Sequence, residues 1–321
     1  MYKIIMAPTE GSDNEREALT VAVKLAQRFN SDLHLVRVHA APLVIGNVIP
    51  RVLELAEQAL REERLAGLRK LKALGTECQA LAEIRATTAL LEGPVAPTLR
   101  DYARKLGVDL IVMSSHARGG IKRIALGSVS DYLIRHTNIP VLVVKRGASF
   151  FAATPEETVS RIVVPLDGSA LAEQILPDVA KLALRLNATV SLVKVLTPQT
   201  YSQRQITQAG LPWWDEDIAF AEASLARAAT YLTEEGVAVN QDVILSDNVP
   251  SAILDYAART RADLIAIATR GNGGVNRFLL GTVADEVVRR ARVSLLVFHP
   301  AIEIFDNKIP VPSEARVVTG V

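Results

Sequence analysis

The stretch Asp109-Leu-Ile-Val-Met-Ser-Ser-His-Ala-Arg-Gly-Gly-Ile-Lys-Arg-Ile-Ala-Leu-Gly-Ser-Val-Ser-Asp131 decides how this chain is built, because it returns as Asp263-Leu-Ile-Ala-Ile-Ala-Thr-Arg-Gly-Asn-Gly-Gly-Val-Asn-Arg-Phe-Leu-Leu-Gly-Thr-Val-Ala-Asp285. Carried on to Val143 and Val297, the match keeps about a third of its positions. Each copy reads as an apolar run, a glycine-rich loop and the start of a helix. Working outward, Lys3–Ser12 matches Arg161–Ser169, anchored on Pro8 and Pro165. Arg28–Val38 matches Arg185–Val195, and Asp101-Tyr102 matches Asp255-Tyr256. Matches in one order at nearly constant offset define an internal repeat.

Within each copy, strand-type and helix-type patterns alternate. Ile4–Ala7 and Ile162–Pro165 are short apolar runs of strand type. Ser12–Phe29 and Ser169–Leu186 carry helical spacing, with a serine at the start and Asn30 or Asn187 at the C-terminal cap. Leu33–Val38 and Thr189–Val195 read as strands. Long helices are predicted over about Val48–Leu74 and Glu216–Glu235, ending near Gly75 and Gly236. A third strand follows, then a helix begun near Pro94–Pro97 or Pro250. Leu110–Ser114 and Leu264–Ala268 are fourth strands, and Val141–Val144 and Leu295–Phe298 are the last. Strands alternating with helices imply parallel βαβ units, and apolar runs without alternation suit strands buried on both faces. The expected domains are 1–147 and 159–300, with a patternless tail at 301–321. The polar segment Thr197–Asp217, with its Trp213-Trp214 pair, is expected to be a long loop; the tryptophans suit cover for an apolar helix face better than a partner contact.

A chain of 321 residues suits two domains, and 49% hydrophobic with 22% charged residues supports a real core in each. A net charge of +1 argues against a dedicated nucleic-acid binder. The single cysteine, Cys78, cannot form an internal disulfide and reads as a small hydrophobe in a strand, in keeping with a reducing compartment. The start Met1-Tyr-Lys-Ile-Ile shows no basic region followed by a long apolar segment, and no apolar run reaches membrane-spanning length. A cytoplasmic protein without membrane contact is the expectation.

The chemistry of interest lies in the second glycine-rich loop. Gly281 and Thr282 stand where a helix begins, and helix N-termini present unpaired N–H groups and a positive dipole end to anions. Glycines let the backbone approach a phosphate. A competing reading treats Thr282-x-x-Asp285 and Ser128-x-x-Asp131 as capping boxes that need no ligand. Asp167, just after the first strand of the second copy, suits either a ribose or adenine contact or a plain turn. Neither G-x-x-x-x-G-K-[ST] nor G-x-G-x-x-G occurs, and His34, His39, His116, His136 and His299 show no metal-ligand spacing. Arg123 and Arg277 suit surface roles or phosphate.

These residues together resemble the universal stress protein family in its tandem two-domain form, over about residues 1–147 and 159–300. The resemblance is carried by Pro165-x-Asp-Gly-Ser169, by Leu-Val-Lys-Val195 and above all by the loop ending in Leu-Gly-[ST]-Val. It implies two repeats of a five-stranded parallel open sheet of order 3-2-1-4-5 flanked by helices, Rossmann-like and similar to the adenine nucleotide alpha hydrolases. It also implies a pseudo-dimer in which the last strands (about Pro140–Lys145 and Ser294–His299) pair edge to edge, covering both edges; a homodimer through another surface is a further expectation. ATP-binding members carry G-x2-G-x9-G-[ST]. By resemblance, Pro165, Asp167, Val195, Ala268, Gly271, Gly281, Thr282 and Val283 would hold ATP, ADP or AMP, with or without Mg²⁺. Ala268 replaces the first glycine of that motif. The first copy departs further: of Pro8, Glu10, Val38, Ser114, Ala117, Gly127, Ser128 and Val129, Ser114 and Ala117 replace both early glycines and Glu10 replaces the aspartate. The first copy is therefore expected to be weak or empty.

The leading expectation is a stress-response protein that binds an adenine nucleotide as a regulatory ligand, chiefly in the second copy. The alternatives are a nucleotide-free scaffold that binds a protein partner and a slow ATP hydrolase. Hydrolysis would need Mg²⁺ near Thr282, with Asp167 as the only obvious carboxylate; no catalytic residue is assigned.

Overall fold

The computed structural model of the protein describes residues 1–12, 15–40, 50–115, 126–147, 159–197, 214–269 and 281–300. The first copy runs β1 (Ile4–Pro8), α1 (Arg16–Phe29), β2 (Asp32–His39), α2 (Pro50–Ala82), β3 (Ala86–Glu92), α3 (Val95–Leu106), β4 (Leu110–Ser114), α4 (Ser128–His136) and β5 (Val141–Val144). The second runs β6 (Arg161–Pro165), α5 (Ala170–Glu173), α6 (Leu176–Leu186), β7 (Thr189–Leu196), α7 (Trp214–Glu234), β8 (Val239–Leu245), α8 (Val249–Arg259), β9 (Leu264–Ala268), α9 (Thr282–Arg290) and β10 (Ser294–Phe298).

Both copies adopt the expected order, and the two half-sheets join into one. The ten strands lie as β3-β2-β1-β4-β5-β10-β9-β6-β7-β8. The seam is the antiparallel pairing of β5 with β10, which sets Val143 opposite Leu295 and Val141 opposite Val297. Every other neighbouring pair is parallel. The last strands cover each other's backbone donors and acceptors, so neither is left as an open edge. The central strands need apolar residues on both faces because helices cover both. One layer packs Ile5, Leu33, Leu142, Ile162, Leu192 and Leu296 beneath α1, α2, α6 and α7. The other packs Met6, Ile111, Val143, Val163, Ile265 and Leu295 beneath α3, α4, α8 and α9. Each layer draws on both copies, so the core is continuous across the seam.

The structure corrects several element boundaries. α2 passes through Gly75 and ends at Ala82, followed by Glu83 in the left-handed region at φ 52°. Gly75 is instead a packing residue: a Cβ there would lie 2.7 Å from Thr88 Cγ2 on β3. Cys78 consequently sits buried on α2 rather than in a strand, and burial pushes its thiol pKa up. α1 begins at Arg16, four residues after the serine expected to start it. In the second copy Ser169 does cap a helix, its Oγ accepting from the Ala172 amide at 3.1 Å. That helix is broken into α5 and α6 rather than continuous to Leu186, because Pro177 offers no N–H to continue the ladder. Asn30 and Asn187 end α1 and α6 in the left-handed conformation, as their spacing predicts.

Candidate functional site

Parallel strands all deliver their carboxyl ends to one edge, and in the second copy that edge gathers the predicted residues. β6 is flanked by β7 on one side and β9 on the other, so the chain order reverses there. Such a switch point opens a crevice beyond the strand ends. β9 ends at Ala268, and Thr269 continues it, its amide donating to Phe298 O at 2.8 Å. The Thr269 carbonyl accepts from the Gly281 amide at 2.8 Å, so both ends of the glycine-rich loop are pinned at one point. A Cβ at residue 281 would come within 3.3 Å of that carbonyl oxygen. Thr269 is itself held by a 2.6 Å hydrogen bond between its Oγ1 and His299 Nδ1, both side chains being buried. The first copy repeats the construction: Ser115 N donates to Val144 O at 3.1 Å and Gly127 N to Ser115 O at 2.9 Å.

The capping-box reading of these helix starts does not hold. The N-caps are Gly127 and Gly281, which places Ser128 and Thr282 inside the first turn. The acidic residues are engaged elsewhere. Asp285 accepts from Arg289 Nε at 2.8 Å and from Arg135 of the other copy at 2.9 Å. Asp131 accepts from Arg135 twice, at 2.9 Å each. Hydrogen bonds from Arg289 lead the causes that hold the Asp285 carboxyl below the usual range; Arg135 adds to them and burial opposes. A glycine N-cap brings no side-chain acceptor, and among the described residues no side chain takes the first-turn amides of α9.

Among the other predicted residues, Pro165 closes β6 in register with Val193, and Val195 lies on β7 opposite Ile244. Val195 and Val283 are half-buried against the layer beneath α8 and α9, while Thr282 is exposed. The Asp167 Oδ1 accepts from the Ser169 amide at 2.8 Å, so the turn role is realised. Gly271 and Ala117, like His116, Arg123, Arg277 and Trp213, lie outside the described residues.

In the first copy, Pro8, Glu10, Val38, Ser114, Gly127 and Val129 line a single cavity of about 330 Å³. Ser128 is not in its wall; it is exposed at the start of α4.

Sequence reasoning overlooked Lys194 and Glu15. Lys194, buried on β7 beside Val195, projects to the opposite face, where a Cβ on Gly168 would lie 2.8 Å from its Nζ. Gly168 adopts φ 86°, the left-handed region that favours glycine. Burial lowers the Lys194 pKa and the nearby Asp167 opposes that shift. The only available signal was the lysine inside an otherwise apolar strand, Leu-Val-Lys-Val195. Glu15 folds its carboxylate over the loop after β1, with no counterpart in the second copy. Among the described residues no cluster of His, Cys, Asp or Glu is arranged to hold a metal ion. No described helix is long and apolar enough to cross a membrane.

A parallel sheet with its order reversed beside a loop-pinned helix start defines a Rossmann-like α/β protein with an edge suited to an anionic ligand. The model of the universal stress protein family matches residues 1–145 and again 158–299, so the chain belongs to that family, in tandem form. A universal stress protein of Methanocaldococcus jannaschii is 34% identical over 146 residues, covering 46% of this chain and 84% of that protein. One from Mycobacterium tuberculosis is 26% identical over 204 residues, covering 63% of this chain and 64% of its own length. The crystal structure of a universal stress protein from Archaeoglobus fulgidus superposes with a TM-score of 0.65 at 18% identity, over 92% of this chain and 98% of that one. At that identity the likeness speaks for the fold.

Proposed function

We propose that this protein binds an adenine nucleotide at the carboxyl edge of its second copy and uses it as a regulatory ligand in a stress response. The observation that carries the reading is the helix start at Gly281. A glycine N-cap is tied to the end of β9 at the switch point, and the acidic residue that would have capped the helix is committed to arginines instead. On this reading the first-turn amides and the positive dipole end of α9 hold the phosphate. Asp167 lies just beyond the end of β6 and Val195 stands on the neighbouring strand β7, where the sugar and base would lie on this reading. Family membership supports the same reading. ATP is the nucleotide to test first, with and without Mg²⁺. The ligand is read as a signal rather than a substrate, and release of phosphate from ATP is measured beside binding to test the slow-hydrolase alternative.

The test is Gly281→Asp. Aspartate is a favoured N-cap and Gly281 has φ −57° and ψ 146°, which L-residues adopt readily. The added Cβ obliges the Thr269 carbonyl to give by a few tenths of an ångström, so a thermal melt first establishes that the variant folds; its own carboxylate then takes the amides a phosphate needs. Mass spectrometry of small molecules released from heat-denatured wild type should find about one adenine nucleotide per chain, and the variant should carry none. A folded Gly281→Asp that retains the nucleotide would move the site elsewhere.

A further inference from the structure

The first copy carries an anion of its own at the corresponding edge. Glu15, 7% exposed, is the N-cap of α1 and folds back over the loop that follows β1. Its Oε2 accepts from the Thr9 hydroxyl at 2.7 Å and from the Gly11 amide at 3.2 Å. The Glu10 amide donates to both carboxylate oxygens at 2.9 Å. An acceptor-only group is thus matched to the donors that successive backbone amides in a turn present, the arrangement that makes an anion-binding concavity. The same carboxylate lines the 330 Å³ cavity together with Pro8, Val38, Gly127 and Val129. In the repeat, residue 15 corresponds to Ala172. The second copy closes its loop without a buried acid from that position: Asp167 accepts from Ser169, and Ser169 caps α5.

We propose that Glu15 determines which ligands the first copy accepts: it is a built-in carboxylate that occupies the loop's donors and excludes anionic ligands, confining the nucleotide to the second copy. The inference builds on the second-copy reading above. Two effects act together. A tethered competitor is present at high effective concentration, millimolar or more, and is never diluted away. A nucleotide phosphate entering the cavity would also meet a buried like charge, where screening by water and salt is weak. Among the described residues of its wall, Glu10 and Glu63 stand with Glu15 against Arg37, so acids outnumber lysines and arginines there. This account differs from one in which Glu10 simply crowds the sugar, and from one in which the lost glycines of the first loop abolish phosphate binding.

The experiment compares wild type, Glu15→Gln, Glu15→Ala and Glu10→Asp. ATP with Mg²⁺ is titrated calorimetrically, and an azido-ATP photolabel is mapped to peptides of each copy. Thermal melts report folding, and Glu15→Gln keeps an acceptor for the Thr9 hydroxyl should Glu15→Ala prove unstable. Glu15→Gln and Glu15→Ala should each add one site per chain, labelled in the first copy and at least tenfold tighter there than wild type. Glu10→Asp should add none. A folded Glu15→Gln whose first copy stays unlabelled overturns the proposal, as does a first copy opened by Glu10→Asp alone or already labelled in wild type. A wild-type chain that binds no nucleotide at all sinks the second-copy reading. A first-copy site gained in Glu15→Gln would still bear out the role of Glu15.

Discussion

At the scale of single residues, Gly75 shows why a glycine's reason for being there is hard to read from sequence. In the pattern it marks the end of a helix; in the fold it lets α2 pass close to β3. A methyl group at residue 75 would sit 2.7 Å from Thr88 Cγ2, closer than real contacts allow. Gly75→Ala should therefore cost about 1–2 kcal/mol of overpacking, partly offset by alanine's helix propensity. In a Thr88→Ser background the clashing methyl is gone, and the same change should turn neutral or stabilising by up to about 1 kcal/mol. Urea denaturation of the two single variants and the double variant checks this; equal costs in both backgrounds would mean the contact is not what selects glycine. Glu15 and Lys194 escaped the sequence reading for a related reason. A charged residue reads as surface, and only the fold shows that both are buried, Glu15 at the start of α1 and Lys194 within β7.

Among the elements, strands were more legible than helices. β4 and β9 fall on the predicted bounds because a strand buried on both faces is a short apolar run with sharp polar ends. Helix ends depend on which side chain wins the terminal amides, and that is decided by neighbours. Ser12 and Ser169 occupy equivalent places in the repeat, yet Ser169 is the N-cap of α5 while Glu15 is that of α1. In the first copy Glu15 takes the loop amides and α1 starts later. Ser169→Ala should accordingly destabilise the protein by about 1 kcal/mol, the usual value of an N-cap hydroxyl. Ser12→Ala should stay within about 0.5 kcal/mol of wild type, as surface substitutions do. Chemical denaturation of the two variants side by side decides it, and equal losses would contradict the different helix starts. The candidate site divides along the same line. Gly281, Thr282 and Asp167 were legible because glycine-rich loops and turn residues follow apolar strands. That Asp285 does not cap its helix was not, because its partner Arg135 comes from the other copy.

For the whole molecule, the seam is where the repeat becomes more than two domains in a row. Beside the β5–β10 pairing, Arg135 bridges Asp131 of its own helix and Asp285 of the other copy at 2.9 Å each, and Arg289 closes the group on Asp285 at 2.8 Å. The Arg135 side chain is only 16% exposed, so its removal would leave two carboxylates facing each other with less water to screen them. Arg135→Ala should lower stability at pH 7 by about 1–2 kcal/mol, above the value of an exposed pair and below that of a fully buried one. The pH dependence follows from the direction of the Asp285 shift. Its folded pKa lies below the ordinary carboxylate value, so its contribution is fully present above about pH 4 and fades as pH falls through the lowered folded value. The stability difference between wild type and Arg135→Ala should therefore be constant from neutral pH to about pH 5 and shrink below about pH 4, as the Asp285 carboxyl takes up its proton. Thermal unfolding followed across that range measures it. A difference that stays the same at pH 3 would mean that Arg135 acts through the packing of its aliphatic stem, and the join between the copies would then rest on the paired strands and the shared apolar layers alone.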